Sequence, residues 1–123
     1  MYTRTDAIDD VVAIARNYYT AMLDADEAGL RALFHDRAII AGNFEGVLEF
    51  SDLGAFLAGI SDAKTGDGPF TYHVDGTAQV GDTAVVTISG YCYGTWFTDH
   101  LSVMKIDGRW QIIAKTFYAH PQN

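Results

Sequence analysis

The chain is poor in cysteine, in basic residues and in long apolar runs, and each shortage excludes a class of protein. Its one cysteine, Cys92, excludes an intrachain disulfide and a Cys-x-x-Cys metal or redox motif. Eight basic residues against sixteen acidic ones give a net charge of −8, which disfavours nucleic acid and anionic membranes as partners. No run approaches the roughly 20 apolar residues that span a bilayer. Because Met1 to Asp6 lacks the apolar stretch of a signal peptide, we expect a cytoplasmic protein.

The sequence signatures of common catalytic and cofactor-binding motifs are also missing. The chain contains no Gly-x-Ser-x-Gly elbow, no phosphate-binding loop and no dinucleotide fingerprint. Its four histidines do not form the spacings His-x-His or His-Glu-x-x-His, so we expect neither a metal nor a cofactor. The 123 residues are 49% apolar, which predicts one domain over residues 1–123 with a single hydrophobic core.

Apolar residues at three- and four-residue spacings predict three helices in the first half of the chain. The first spans about 8–23, the second 26–34, and a third begins at 53, after two short strands at 38–41 and 47–50. Candidate N-caps precede each helix: Thr5 or Asp6, Asp24 or Asp26, and Ser51 or Asp52.

From residue 70 the apolar period changes to two, which predicts four strands. They cover 70–80, 83–94, 97–106 and 109–118, and the turn-forming residues Lys64 to Pro69 precede them. The element order α-α-β-β-α-β-β-β-β favours an α+β fold, with helices packed on one face of a twisted, mostly antiparallel sheet.

The Asp107-Gly108 turn determines which side chains share a face of the last hairpin. A two-residue turn pairs Ile106 with Arg109 and places Asp99 opposite Thr116. Asp99 then shares a face with an otherwise apolar set: Phe97, Leu101, Val103, Trp110, Ile112 and Ala114. The reverse face, with Lys115 and Phe117, is mixed in character and predicts a homodimer interface. A bulged three-residue turn would instead bring Asp99 beside Lys115 as an ion pair. We prefer the first register because it keeps the apolar side chains together.

Three local strings carry a family resemblance: Leu33-Phe34-His35-Asp36-Arg37-Ala38, Phe97-Thr98-Asp99-His100-Leu101-Ser102 and Asp107-Gly108-Arg109-Trp110-Gln111-Ile112. Together with the element order, they resemble the lumazine-binding-like branch of the nuclear-transport-factor-2-like superfamily. That superfamily includes ketosteroid isomerase, scytalone dehydratase and polyketide cyclases. The resemblance covers nearly the whole chain and implies a cone-shaped fold, in which a curved sheet wraps the long first helix around an apolar pocket.

The similarity to ketosteroid isomerase implies a set of site residues. Tyr19 matches that enzyme's oxyanion tyrosine and Asp99 its protonated aspartate, while its proton-moving carboxylate falls on Gly42. His35 or Glu45 would therefore have to move a proton. Desolvation of Asp99 favours the neutral acid, which beside Tyr19 would give two donors for one ligand oxygen. The alternative is a structural Asp99, bonded to Thr116 or paired with Lys115. The residues expected to line the pocket are Tyr18, Phe34, Phe56, Tyr72, Trp96, Phe97, Leu101, Trp110 and Ile112.

Three functions follow as hypotheses. The first is a small-molecule-binding domain that holds a carbonyl or hydroxyl oxygen of an apolar or aromatic ligand. The second is a cofactor-independent isomerase, cyclase or dehydratase that uses Tyr19 and Asp99 as oxyanion donors. The third is a non-catalytic dimeric association domain whose pocket is filled by its own side chains.

Overall fold

A computed structural model describes residues 5–63, 71–92 and 94–121. The helices are α1 (Thr5–Leu23), α2 (Glu27–Leu33) and α3 (Leu53–Ala63). The strands are β1 (Phe34–Phe44), β2 (Val47–Asp52), β3 (Thr71–Val80), β4 (Thr83–Cys92), β5 (Thr95–Ile106) and β6 (Arg109–Ala119). The α+β class and the element order predicted from the sequence are confirmed. The turn predicted at Lys64 to Pro69 lies outside the described residues.

Side-chain caps fix where two of the helices begin. Asp26 Oδ1 accepts a hydrogen bond from the Gly29 N–H at 2.9 Å, and Asp52 Oδ1 accepts one from the Ala55 N–H at 2.8 Å. The other end of α2 differs from the prediction, because Phe34 already has extended backbone angles (φ −94°, ψ 145°). Strand β1 therefore begins at Phe34, the last residue of the predicted helix, and includes His35.

The six strands form one sheet in the order β2-β1-β6-β5-β4-β3. Strands β1 and β6 are parallel, and every other neighbouring pair is antiparallel. Helix α1 packs against β3, β4 and β6, and α3 packs against β1 and β2, so both cover the same inner face. The core between these layers includes Tyr18, Leu30, Phe34, Ile40, Ile88, Leu101 and Ile112. None of the helices in the described part of the chain combines the length and the apolar character needed to cross a membrane.

The outer face of the sheet carries exposed apolar and aromatic side chains. Ile39, Val85, Trp96 and Tyr118 are each between 40% and 49% exposed, and polar residues such as His100 lie among them. This mixture agrees in character with the surface expected for a homodimer, and the dimer itself stays a prediction.

A bulge in β6 changes the predicted register of the last hairpin. The two-residue turn is confirmed, because Ile106 pairs with Arg109, and the predicted register continues as far as Val103 with Ile112. Ser102, however, pairs with Ala114, so Ile113 is an extra residue in β6. The prediction that Asp99 lies opposite Thr116 is therefore wrong.

The extra residue exchanges the two faces of β6 beyond the bulge. Asp99 lies opposite Phe117, Lys115 is 5% exposed on the inner face, and Thr116 is exposed. A shift of one residue inverts the alternation of a strand, which is why the placement of Lys115 and Phe117 on the reverse face was wrong. The same inversion moves Ala114 off the inner face.

A close approach of α1 to β4 depends on Gly90. Tyr19 lies against this glycine, and a Cβ added there would overlap with the Tyr19 hydroxyl. The Tyr19 ring has little freedom to move aside, because it stacks on Tyr72 with 4.8 Å between ring centroids and meets Tyr18 edge-on. Gly90 therefore sets how closely the first helix packs on the sheet.

We expect Gly90→Ala to lower the free energy of unfolding by about 1–3 kcal/mol, the usual cost of overpacking a core. Urea denaturation of the purified protein measures this change. Gly59→Ala is the matched control, because no atom lies within 4 Å of the added Cβ. In helix α3 it should leave stability unchanged or raise it by up to about 1 kcal/mol. Equal stability of the two variants would show that Tyr19 can move.

Candidate functional site

A cavity of about 590 Å³ lies between helices α1 and α3 and the inner face of the sheet. Its deep part is formed by buried side chains, among them Tyr18, Met22 and Ile40. Its mouth lies between β2 and α3, where the lining residues Glu49 and Phe50 are exposed. Most of the lining is apolar, which suits the ring system or hydrocarbon part of a small molecule.

Three polar side chains meet in the buried part of this cavity. The Tyr18 hydroxyl donates a hydrogen bond to Asp99 Oδ2 at 2.9 Å. Lys115 Nζ lies 4.0 Å from the same oxygen, and the two charged side chains are 7% and 4% exposed. Residues of α1, β5 and β6 thus form one polar cluster, Tyr18–Asp99–Lys115, in an apolar surrounding.

The second oxygen of the Asp99 carboxylate is the least satisfied atom of the cluster. Asp99 Oδ1 is buried and has no hydrogen-bond partner among the described residues. A buried carboxylate oxygen without a donor is costly, and such atoms are uncommon in folded proteins. Asp99 lines the cavity, so the carboxylate with this unsatisfied oxygen forms part of the cavity wall.

Aromatic rings surround the ammonium group of Lys115. Its Nζ lies 4.6 Å from the ring centroid of Phe56, 5.1 Å from that of Phe117 and 5.3 Å from that of Tyr18. Each distance is within the range of a cation–π interaction. The 4.0 Å separation from Asp99 Oδ2 exceeds a hydrogen-bond distance. Charge and ring faces therefore hold the ammonium near Asp99 without a direct hydrogen bond between the two.

The structure places both residues of the predicted oxyanion pair at the cavity, but it gives Asp99 a different partner. Tyr19 and Asp99 both line the cavity. The hydrogen bond to Asp99 comes from Tyr18, one residue earlier and about 100° around the helix. The Tyr19 hydroxyl lies beside Gly90, in the space that a Cβ at that position would need. The roles assigned to Tyr19 and Asp99 remain predictions.

Neither predicted substitute for the missing base lines the cavity. Glu45 lies in the exposed turn between β1 and β2 with a positive φ of 53°. The His35 ring accepts a hydrogen bond from the Arg37 N–H at 3.0 Å. At Gly42 itself, the Phe117 ring occupies the space that a side chain would need. The geometry thus explains why this position carries glycine.

The predicted pocket residues divide into two groups. Tyr18, Phe56 and Phe97 line the cavity. The others lie in the core or on the surface: Phe34, Leu101, Trp110 and Ile112 are buried, Tyr72 stacks on Tyr19, and Trp96 is exposed on the outer face. The sequence reasoning missed Lys115 and Phe117, because both depend on the bulge. The ion-pair alternative considered for Asp99 was the signal that pointed to Lys115.

Within residues 5–63, 71–92 and 94–121, no group of three or more histidine, cysteine, aspartate or glutamate side chains is arranged to hold a metal ion.

Comparisons with known proteins agree with this fold. The family described as "Putative lumazine-binding" matches residues 6–118. A nuclear-transport-factor-2-like protein from Silicibacter pomeroyi is 26% identical, with a TM-score of 0.90 over 97% of this chain and 100% of that one. A ketosteroid isomerase-like protein from Erwinia carotovora is 15% identical, with a TM-score of 0.77 over 96% of this chain and 99% of that one. Aldolase FrzH from Cladobotryum sp. is 28% identical over 93% of this chain and 92% of its own length.

Lys115→Met should lower the free energy of unfolding by about 3 kcal/mol, because it leaves the Asp99 carboxylate buried without its counter-charge. The double variant Asp99→Leu/Lys115→Met removes both charges and should recover most of that loss. Urea denaturation of each variant measures the difference. Lys105→Met, on the exposed end of β5, is the control and should change stability by less than about 0.5 kcal/mol. If Lys115→Met changed the free energy of unfolding as little as the control does, the ion pair would make no contribution to stability.

Proposed function

The chain belongs to this lumazine-binding-like family, and we propose that its cavity binds a small apolar or aromatic molecule through a carbonyl or hydroxyl oxygen. The observation that carries the proposal is the buried Asp99 Oδ1, which lacks a donor among the described residues while Oδ2 of the same carboxylate is held by Tyr18. A ligand hydroxyl would satisfy this atom. A ligand carbonyl would instead accept from the Lys115 ammonium.

The size and lining of the cavity support the same class of ligand. About 590 Å³ lies within the range of pockets that hold drug-sized molecules. Phe56, Phe97 and Phe117 offer ring faces or edges to an apolar body. Asp99 and Lys115 carry opposite charges, so the polar end of the site is neutral as a whole. The net charge of −8 and the exposed Glu49 at the mouth further favour a neutral ligand over an anion.

A second candidate function is proton transfer at the carbon next to a carbonyl group, the step shared by isomerases, cyclases and aldol reactions. Two observations favour this function: the proton acceptor Asp99 and the cation Lys115 lie in one cavity, and the chain is similar to Aldolase FrzH. Asp99 Oδ1 would take the proton, and the C–H electron pair would move to the carbonyl oxygen. The Lys115 ammonium would stabilise the enolate that forms.

A matched pair of probes, naphthalene and 2-naphthol, tests the binding proposal. We expect 2-naphthol to bind on the order of tenfold more tightly, because a hydrogen bond to a charged acceptor contributes about 1.5–3 kcal/mol. Isothermal titration calorimetry measures both affinities. Asp99→Asn should reduce the preference, whereas Asp75→Asn, on β3 and away from the cavity lining, should keep it. Equal affinity of the two probes for the wild-type protein would contradict the proposed role of Asp99.

Deuterium exchange into 2-acetylnaphthalene tests the second candidate. The wild-type protein should accelerate loss of the methyl proton signal in D₂O, followed by NMR, because Asp99 takes the proton and Lys115 stabilises the enolate. Asp99→Asn should lower the rate by on the order of 100-fold, the usual contribution of a general base. Lys105→Met should leave the rate unchanged. Binding without accelerated exchange would rule out this reaction for the probe and leave the binding proposal intact.

A further inference from the structure

We propose that Lys115 is a nucleophile that forms a covalent imine with an aldehyde or ketone bound in the cavity. The inference rests on the binding function proposed above and adds a chemical step to it. The ligands that can react form a narrower class than those that can bind. A hydroxyl compound fits the binding site but lacks the carbonyl carbon that an amine attacks.

The position of the Lys115 amine favours attack on a bound carbonyl carbon. Lys115 is 5% exposed and lines the cavity, with the ring faces of Phe56, Phe117 and Tyr18 around its Nζ. An amine fixed at the end of an apolar cavity meets a bound carbonyl carbon at a high effective concentration. Lys105, by contrast, is exposed on β5 and does not line the cavity.

A proton acceptor, the Asp99 carboxylate, lies next to the amine. An ammonium group becomes nucleophilic only after it loses a proton, and Asp99 Oδ2 lies 4.0 Å from Nζ. The other carboxylate oxygen, Oδ1, has no donor among the described residues, so a proton held there would displace no hydrogen bond. Asp99 can therefore take the proton from the amine and give it to the oxygen of the carbonyl group.

The step balances without any further reagent. The C–N bond forms as Nζ attacks the carbonyl carbon, and the C–O bond breaks as that oxygen leaves as water. Two of the three ammonium protons leave in the water molecule, and the positive charge remains on nitrogen as a protonated imine. No oxidant or reductant is needed.

The surroundings of Lys115 suit the imine product as well as the ammonium reactant. The protonated imine carries its charge where the ammonium carried it, beside Asp99 and among three ring faces. The groups that stabilise one cation thus stabilise the other without rearranging. An imine cation also withdraws electrons from the adjacent carbon, which makes its proton easier for Asp99 to remove.

Reductive trapping with 2-naphthaldehyde and sodium cyanoborohydride tests the proposal. We expect one naphthylmethyl group on Lys115, located by peptide mass spectrometry, to form on the order of tenfold faster than any adduct on Lys105 or the N-terminal amine. An excess of 2-naphthol should slow the reaction at Lys115 only. Lys115→Arg keeps the positive charge but lacks a nucleophilic amine, so it should fold and lose the fast adduct. Lys105→Met should keep it.

Binding of 2-naphthaldehyde without the reductant is measured in parallel by calorimetry. If the aldehyde binds and 2-naphthol competes, but Lys115 reacts no faster than Lys105, the imine proposal is overturned and the binding function stands. If 2-naphthol binds and the aldehyde does not, only the imine proposal is overturned, whereas failure of both compounds to bind overturns both proposals. A fast adduct that persists in Lys115→Arg would assign the reaction to another amine and would also overturn the proposal.

Discussion

The extra residue at Ile113 in strand β6 is the constraint on which the cavity depends. Before the bulge, Trp110 and Ile112 face the helices, and beyond it Lys115 and Phe117 do. Regular pairing would direct Thr116 inward and leave Asp99 without its ammonium partner. A local irregularity of one residue thus determines both the charge balance and the aromatic lining of the site.

The Tyr18–Asp99–Lys115 cluster costs desolvation free energy, because it buries two charged groups in a small core. Transfer of a carboxylate and an ammonium from water costs more than their attraction returns, unless hydrogen bonds complete the geometry. Here Tyr18 satisfies one oxygen of Asp99, the other has no donor among the described residues, and Lys115 lies 4.0 Å away. A pair serving stability alone would be expected to close to hydrogen-bond distance. The open arrangement favours a site that completes its contacts with a ligand.

Much of the fold was predictable because its signals are local. Alternation gave the strands, the caps Asp26 and Asp52 followed from helix chemistry, and the Asp107-Gly108 turn set the start of the hairpin correctly. The site was less predictable because it depends on long-range geometry. A bulge inside a strand of apolar residues has no distinctive sequence. Periodicity cannot rank two adjacent tyrosines that are both buried on α1. The likeness to ketosteroid isomerase assigned the chemistry to Tyr19, whereas the hydrogen bond to Asp99 comes from Tyr18.

The contacts of Asp99 differ from those that the likeness to ketosteroid isomerase implied, and the roles of Tyr19 and Asp99 remain predictions. In that scheme Asp99 is a neutral donor and a separate carboxylate moves the proton. In this chain the position of that separate carboxylate is Gly42, where the Phe117 ring fills the space of a side chain. Asp99 accepts a hydrogen bond from Tyr18. In the proposed reaction the Asp99 carboxylate, which accepts from a phenol and faces an ammonium, would take a proton, and the Lys115 ammonium would donate to a ligand oxygen. The proposal thus places the base and the donor on different strands, β5 and β6.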